Sequence, residues 1–199
     1  MTTPTTAGQL IKPVLQDLAD VVAGISPDQF THPTPCADFD VAALRAHVLG
    51  WVTFFGAAFN DPDGSTDRPD PKSAVAPEDP QAAADVVRAA AARITEAVDN
   101  GVAERPVLMV QATMPGESLL RMALWEYLTH GHDLARATGQ EWNPPVAAVQ
   151  DALEFAPSML TDEYRGIDKD FGEIVPVPDD APALDRLLGF SGRDPHWKA

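Results

Sequence analysis

Apolar residues recur at helical spacing along most of the chain, and this pattern constrains the fold more than any other feature. In the first amphipathic segment, for example, Leu10, Val14 and Leu18 fall on one stripe of a helix. Stripes of this kind are buried by packing helices against one another, so the sequence predicts an all-α protein. Four long segments of this type, with one extended crossover, favour a four-helix bundle.

Capping residues and prolines predict where the helices begin and end. Asp40 is a good N-cap for the second helix, and Asp79-Pro80 opens the third. Gly139 is the natural C-cap of the fourth helix. We therefore expect four long helices, at about 5–24, 41–60, 80–101 and 117–138. A shorter fifth helix follows, and the extended tail contains a helical turn at about 183–188.

The length of the chain suits one domain, because 199 residues can bury a core without disulfides or metals. We expect that domain to span 1–199, with a core at about 5–160 and a tail at 161–199. Cys36 is the only cysteine, which excludes an internal disulfide and a Cys-based zinc knuckle.

The charge and hydropathy of the chain limit its partners and its location. A net charge of -16 repels polyphosphate, so we expect no nucleic-acid partner. No stretch matches the pattern of about 20 apolar residues that spans a membrane. The first residues also lack the basic start and apolar run of a signal peptide. These features predict a cytoplasmic protein without a membrane partner.

The fourth helix carries polar residues on two different faces. At about 100° per residue, Glu126, His130 and Asp133 share a sector with apolar side chains, which predicts that they point inward. His132 and Arg136 fall on a different arc, at about -60° to -140° from Glu126, together with Ser118, Arg121 and Thr129, and Trp125 lies at its edge. We therefore predict that His130 faces the core and that His132 faces solvent.

The second helix repeats this arrangement with one histidine. His47 lies between Leu44 and Trp51 on the apolar side of that helix. An inward histidine on one helix and an inward Glu126–His130 pair on another would suit a divalent transition metal with open coordination positions. From periodicity alone, a buried ion pair between Glu126 and His130 without a metal explains the pattern equally well.

Three motifs resemble one protein family. They are "TPCADFDVAALRAHVLGW", "EYLTHGHDLARATGQ" and the closing "RLLGFSGRDPHW". Together they resemble an actinobacterial group of metal-binding proteins, related to the N-terminal domain of mycothiol-dependent maleylpyruvate isomerase and belonging to the DinB-like superfamily. The resemblance spans nearly the whole chain. It implies a DinB-like four-helix bundle with a metal site at its open end.

The resemblance also implies which residues hold the metal. In the family, the ligands are a histidine on the second helix and a pair four residues apart on a later helix, which correspond here to His47, Glu126 and His130. Zinc is the metal that the resemblance suggests, with nickel or another divalent ion as alternatives, and mycothiol is the implied cofactor. His132 replaces a tryptophan found in many relatives, which adds a further candidate ligand that the helical geometry argues against.

The function that follows has two main alternatives. One is a metal- and thiol-dependent transferase or isomerase that acts on a small electrophile. The other is a non-catalytic metal-binding or structural bundle, and a metal-free bundle is a third. The isomerase carries a further C-terminal domain, whereas this chain ends at Ala199, so its activity is not transferred. The expected partner is a small-molecule thiol or substrate, and the formation of a homodimer stays open.

Other polar residues receive weaker assignments. Asp133 either orients a ligand histidine or pairs with a neighbouring arginine. Cys36 is predicted to be a small packed side chain rather than a reactive one. Arg136 is predicted to be a solvated surface side chain rather than a ligand for an anion. Trp197 is expected to anchor the tail against the bundle. His32 and His196, in a Pro-bounded loop and in the tail, receive no role.

Overall fold

The computed structural model describes residues 6–110, 112–166, 169 and 171–198. This part of the chain contains six α-helices and one two-stranded sheet, so the prediction of an all-α fold is confirmed. The first helix was expected to begin at Thr5, which lies outside the described residues. The helices are α1 Ala7–Ala23, α2 Val41–Asn60, α3 Pro80–Asp99, α4 Gly116–Thr138, α5 Val146–Met159 and α6 Ala183–Phe190.

The predicted caps explain the helix bounds. The Asp40 carboxylate accepts a hydrogen bond from the backbone N–H of Ala43 at 2.8 Å, at the start of α2. Asp79 accepts two such bonds at the start of α3. These bonds satisfy N–H groups that a helix leaves free in its first turn. At the end of α4, Gly139 adopts a left-handed conformation with φ 70, which a side chain would disfavour.

The four long helices pack around a common core. α1 packs against α3 and α4, and α2 packs against the same two helices. Consecutive helices α1 and α2 are therefore not main neighbours, nor are α3 and α4. Both connections, at 24–40 and 100–115, thus cross the bundle, where the sequence predicted one crossover. α2 and α4, which carry the candidate ligands, are direct neighbours.

The connection between α3 and α4 is a small hairpin. Strand β1, Pro106–Leu108, pairs antiparallel with β2, Thr113–Pro115, and Val107 lies opposite Met114. This is the segment that the sequence predicts to be an extended crossover. The backbone N–H of Gly116 then donates to the Arg105 carbonyl at 2.8 Å, so α4 begins directly at the end of the hairpin.

Helix α2 is more apolar than the sequence analysis allowed. By length and composition alone it is apolar enough to cross a membrane, so the expectation that no stretch matches this pattern is wrong. Among the described residues, it is the one helix that does so. However, 61% of its apolar window is buried within the protein. Packing in the core therefore accounts for its hydropathy.

The C-terminal segment, residues 171–198, covers a face of α4 that was predicted to meet solvent. The Phe171 ring stacks on Trp125 at 5.4 Å between centroids. Trp125 Nε1 also donates to Ser191 Oγ at 2.8 Å. Arg136 Nε donates to the Trp197 carbonyl at 3.0 Å, so the end of the tail contacts α4 as expected.

This covering overturns part of the predicted orientation of α4. His132 is only 8% exposed, and Thr129 and Trp125 are also buried. The prediction that His132 faces solvent is therefore wrong, because a segment distant in sequence packs over that arc. Arg136 remains exposed, as predicted.

Candidate functional site

Three polar side chains converge where α2 and α4 face each other. His47 comes from α2, and Glu126 and His130 lie one turn apart on α4. Glu126 Oε1 lies 2.9 Å from His47 Nε2 and 3.3 Å from His130 Nε2. One potential ligand atom from each residue lies within 4.8 Å of the other two. The structure thus brings together the three residues that the sequence selected.

The cluster is open on one side. The His47 and Glu126 side chains are 25% and 27% exposed, whereas the His130 side chain is only 7% exposed. Two aromatic rings flank His47: Phe39, at 5.1 Å between ring centroids, and Trp51, at 6.3 Å. Solvent therefore reaches the cluster at His47 and Glu126, and two aromatic rings lie beside His47.

A buried carboxylate holds His130 from behind. Asp133 is completely buried, and its Oδ2 accepts a hydrogen bond from His130 Nδ1 at 3.0 Å. The same oxygen accepts a bond from Arg193 Nε at 3.4 Å. Asp133 therefore contacts both kinds of partner that the sequence analysis considered, a histidine and an arginine. The bond at Nδ1 leaves Nε2 of His130 facing Glu126 and His47.

Opposite charges set the protonation of the cluster. Burial alone would raise the pKa of Glu126, but His130 and His47 outweigh it and hold this pKa well below its usual range. Burial likewise disfavours the charged form of His130, yet Glu126 and Asp133 raise its pKa to about 9. Arg193 and His130 overcome burial at Asp133 and lower its pKa. The Glu126 carboxylate therefore lies between His47 and His130, and the Asp133 carboxylate lies between His130 and Arg193.

Cys36 lies at the rear of this network. Its Sγ lies 3.4 Å from Arg193 Nη2, and it forms a second cluster of potential ligands with His130 and Asp133. That cluster suits a cation less well, because Arg193 already brings a positive charge to it. Burial raises the pKa of Cys36 to about 11 despite the nearby Arg193, so the thiol stays neutral near pH 7. A packed rather than reactive cysteine agrees with this environment.

The remaining histidines lie outside the cluster. His132 Nδ1 is 3.9 Å from Asp133 Oδ1, but within the described residues His132 belongs to neither group of potential metal ligands. His32 Nδ1 lies 3.4 Å from the Ala137 carbonyl. His196 is exposed in the C-terminal segment.

The sequence matches a family model over most of these elements. The model describes the mycothiol maleylpyruvate isomerase N-terminal domain and matches residues 11–135. The chain belongs to this family. The resemblance indicated by the three motifs is thus confirmed, and the matched stretch contains His47, Glu126, His130 and Asp133.

Two relatives of this family member come from Mycobacterium tuberculosis. They are uncharacterized proteins of two strains, and each is 29% identical over 175 residues, which cover 88% of this chain and 91% of the relative. Among solved structures, the chain resembles the mycothiol-dependent maleylpyruvate isomerase, with a TM-score of 0.55 and 16% identity. That similarity covers 75% of this chain and 70% of the isomerase chain, and it supports the helical fold.

Arg193 is the residue of the site that sequence reasoning missed. It lies outside the stretch matched by the family domain, in the C-terminal segment, and is only 6% exposed. The closing motif "RLLGFSGRDPHW" contains it and contributed to the family resemblance, but helical periodicity assigns no direction to a residue in an irregular tail. Its contact with Asp133 depends on the fold of the whole chain.

Proposed function

We propose that this protein binds a divalent metal ion, with zinc as the first candidate, through His47, Glu126 and His130. The observation that carries the proposal is the convergence of two imidazole nitrogens and a carboxylate oxygen within 4.8 Å of one another. Mixed nitrogen and oxygen donors of this kind suit zinc, and imidazole also suits nickel and iron. The donor set therefore supports a transition metal and leaves its identity to analysis of the protein.

The surroundings of these side chains fit a metal site. His130 donates from Nδ1 to Asp133, which fixes the ring and directs Nε2 into the cluster. Ligand histidines in metalloproteins commonly have such a carboxylate partner. The hydrogen bond between His47 and Glu126 keeps the other two donors in place. Their positions are thus largely organised before a cation binds.

We further propose that the site serves a mycothiol-dependent transferase or isomerase that acts on a small electrophile. A bound metal would supply Lewis acidity and stabilise a thiolate at neutral pH. The exposed edges of His47 and Glu126 leave room for a thiol to approach, whereas metal sites with a purely structural role are usually closed. Phe39 and Trp51 would limit water around the reacting groups.

A non-catalytic metal site is the second candidate. Glu126 connects α2 to α4, and Asp133 connects α4 to the C-terminal segment through Arg193. A cation bound at the cluster would strengthen these links between elements. In that case the main consequence of metal binding would be a more stable fold.

We infer that the chain works as one domain in the cytoplasm and that its partner is a small molecule. The acidic net charge of -16 argues against nucleic acid. The burial of α2 in the core argues against a membrane-spanning role for that helix.

Elemental analysis of protein purified without added metal tests the site. Wild type should carry close to one metal ion per chain, His47→Ala should carry much less, and His196→Ala should match wild type. Equal metal content in wild type and His47→Ala would overturn the proposed site.

Turnover separates the two candidate functions. With mycothiol and a panel of small electrophiles, wild type should show activity that folded His130→Ala lacks. If no electrophile reacts and chelation strongly lowers the melting temperature, the non-catalytic function is the correct one.

A further inference from the structure

Arg193 makes three contacts with different parts of the molecule. Its Nε donates to Asp133 Oδ2 on α4 at 3.4 Å, and its Nη1 donates to the Ser191 carbonyl at 2.5 Å. Its Nη2 donates to Cys36 Sγ, in the connection before α2, at 3.4 Å. A planar guanidinium with three fixed contacts has little freedom to reorient. Arg193 therefore occupies one defined position behind the candidate metal site.

Asp133 Oδ2 lies between Arg193 and His130 and contacts both side chains. It accepts bonds from both Arg193 and His130, whereas Asp133 Oδ1 is buried without a hydrogen-bond partner. His132 Nδ1 lies 3.9 Å from Oδ1, so the Asp133 carboxylate could instead rotate toward His132. The bond from Arg193 favours the orientation in which Oδ2 faces His130.

We propose that Arg193 is a positioning residue of the metal site. It fixes the Asp133 carboxylate, and Asp133 in turn directs Nε2 of His130 toward Glu126 and His47. The effect on metal affinity rests on the proposed function. The orientation of the His130 ring is a property of the metal-free protein as well, so it can be measured separately.

The C-terminal segment thereby becomes part of the site. The family domain matches residues 11–135 and contains the three candidate ligands, but Arg193 lies 58 positions beyond its end (193 minus 135). Ser191 anchors the segment next to Arg193, because its hydroxyl accepts from Trp125 Nε1 and donates to the Leu187 carbonyl. The full chain is thus needed for the His130 geometry, beyond the helices that carry the ligands.

Zinc affinity tests the proposal, measured by competition with a chromophoric chelator on the full-length protein. Arg193→Met should bind zinc about tenfold more weakly than wild type, the low end of the loss typical for a direct partner of a ligand, because Asp133 itself stays in place. Arg193→Lys should recover part of the lost zinc affinity, since lysine keeps the positive charge but lacks the several N–H donors of the guanidinium. Cobalt-loaded Arg193→Met should also show an altered absorption spectrum.

Arg165→Met is the matched control. Arg165 is likewise buried, contacts the Gly172 carbonyl and lies over the Phe190 ring, but it does not touch Asp133. Its replacement perturbs the packing of the same C-terminal region and should leave zinc affinity unchanged. An equal loss of zinc affinity in both variants would show that Arg193 acts only by packing the tail, and it would overturn the proposal. Wild-type zinc affinity in a folded Arg193→Met would overturn it as well.

Imidazole signals of the metal-free protein decide the orientation independently. In ¹⁵N-histidine-labelled protein, the signals of His130, assigned through His130→Ala, should shift in Arg193→Met and in Arg193→Lys but not in Arg165→Met. Unchanged His130 signals in both Arg193 variants would overturn the positioning role. If wild type binds no zinc but these signals shift, the proposed metal function fails and the positioning of His130 stands.

Discussion

Glu126 Oε1 lies 2.9 Å from His47 Nε2, so a single polar contact joins α2 to α4 at the open side of the cluster. The same oxygen also faces His130 Nε2. A carboxylate shared by two imidazoles is held by them in the metal-free protein and would share a cation with them in the metal-bound form. The role of Glu126 can therefore be tested in both states.

Glu126→Gln should remove most metal binding while preserving the fold. The amide lacks the negative charge of the carboxylate, and zinc affinity should fall by more than the roughly 10- to 100-fold typical of outer partners. In the presence of chelator, the free energy of unfolding of the metal-free variant should fall by only about 1–3 kcal/mol, because the amide oxygen can still accept a hydrogen bond. Chelator competition and urea unfolding measure the two effects.

Glu117→Gln provides the control for that substitution. Glu117 lies on the same helix, where it pairs with Arg121 at 3.7 Å and accepts from the backbone N–H of Ala7. Its amide variant should keep wild-type zinc affinity. If Glu126→Gln bound zinc as tightly as Glu117→Gln, the carboxylate would not be a ligand.

The stability of the metal-free protein should depend on pH through His130. Its pKa in the fold is about 9, above the ordinary value of 6.5, so its charged form stabilises the native state fully below about pH 6.5. That contribution, about 3 kcal/mol, should disappear as the pH rises through 9. The lowered pKa values of Glu126 and Asp133 have the opposite sign, so their contribution is lost in acid.

Urea unfolding with chelator present, between pH 6 and 10, measures this dependence. The stability difference between wild type and His130→Gln should shrink across the window from about 6.5 to 9. His196→Gln, a substitution at an exposed histidine of the tail, is the matched control. A wild-type advantage over His130→Gln that stays constant to pH 10 would contradict the raised pKa.

Much of the fold follows from signals local to the sequence. Asp40 and Asp79 mark helix starts because each accepts hydrogen bonds from N–H groups of the first turn. Gly139 marks a helix end because it adopts the left-handed conformation there. Helical spacing alone also places His47, Glu126 and His130 on apolar faces of their helices. Their distances depend on packing between α2 and α4, which the sequence suggested through the family resemblance.

The errors arise where a distant segment changes the environment. His132 and Thr129 lie on an arc of α4 whose polar residues predict exposure to solvent, yet both are buried. On the same arc the C-terminal segment contacts Trp125 and Arg136. Arg193 completes the His130 network from that same segment. Periodicity describes one helix at a time, so it cannot reveal which irregular segment covers a face. The second crossover was missed for the same reason, because helix adjacency is a tertiary property.

Cys36 should react slowly with alkylating reagents in the folded protein. Its pKa is raised to about 11 from an ordinary value of 9.0, mainly by burial, which lowers the thiolate fraction about a hundredfold near neutral pH. Labelling with iodoacetamide at neutral pH, followed by mass spectrometry, measures the rate. Urea-unfolded protein at the same pH is the control, and equal rates in both states would show that Cys36 is accessible and that its pKa is not raised.

Gly131 should not tolerate a side chain, because the Trp142 ring lies against it. A methyl group at Gly131 would overlap atoms of the six-membered part of the indole, and Trp142 is itself only 9% exposed. Gly131→Ala should therefore destabilise the protein by about 1–3 kcal/mol, as overpacking typically does. Since Gly131 lies between His130 and His132, displacement of α4 there should also weaken zinc binding.

A double-mutant cycle isolates the overlap between Gly131 and Trp142. In Trp142→Phe, the shorter ring extends less far toward α4, so adding Gly131→Ala should cost clearly less than in wild type. Urea unfolding of the four proteins gives the coupling. If Gly131→Ala costs the same in both backgrounds, a neighbour other than Trp142 accounts for the effect, because helix propensity favours alanine, and close packing of Trp142 does not explain the glycine between the two histidines.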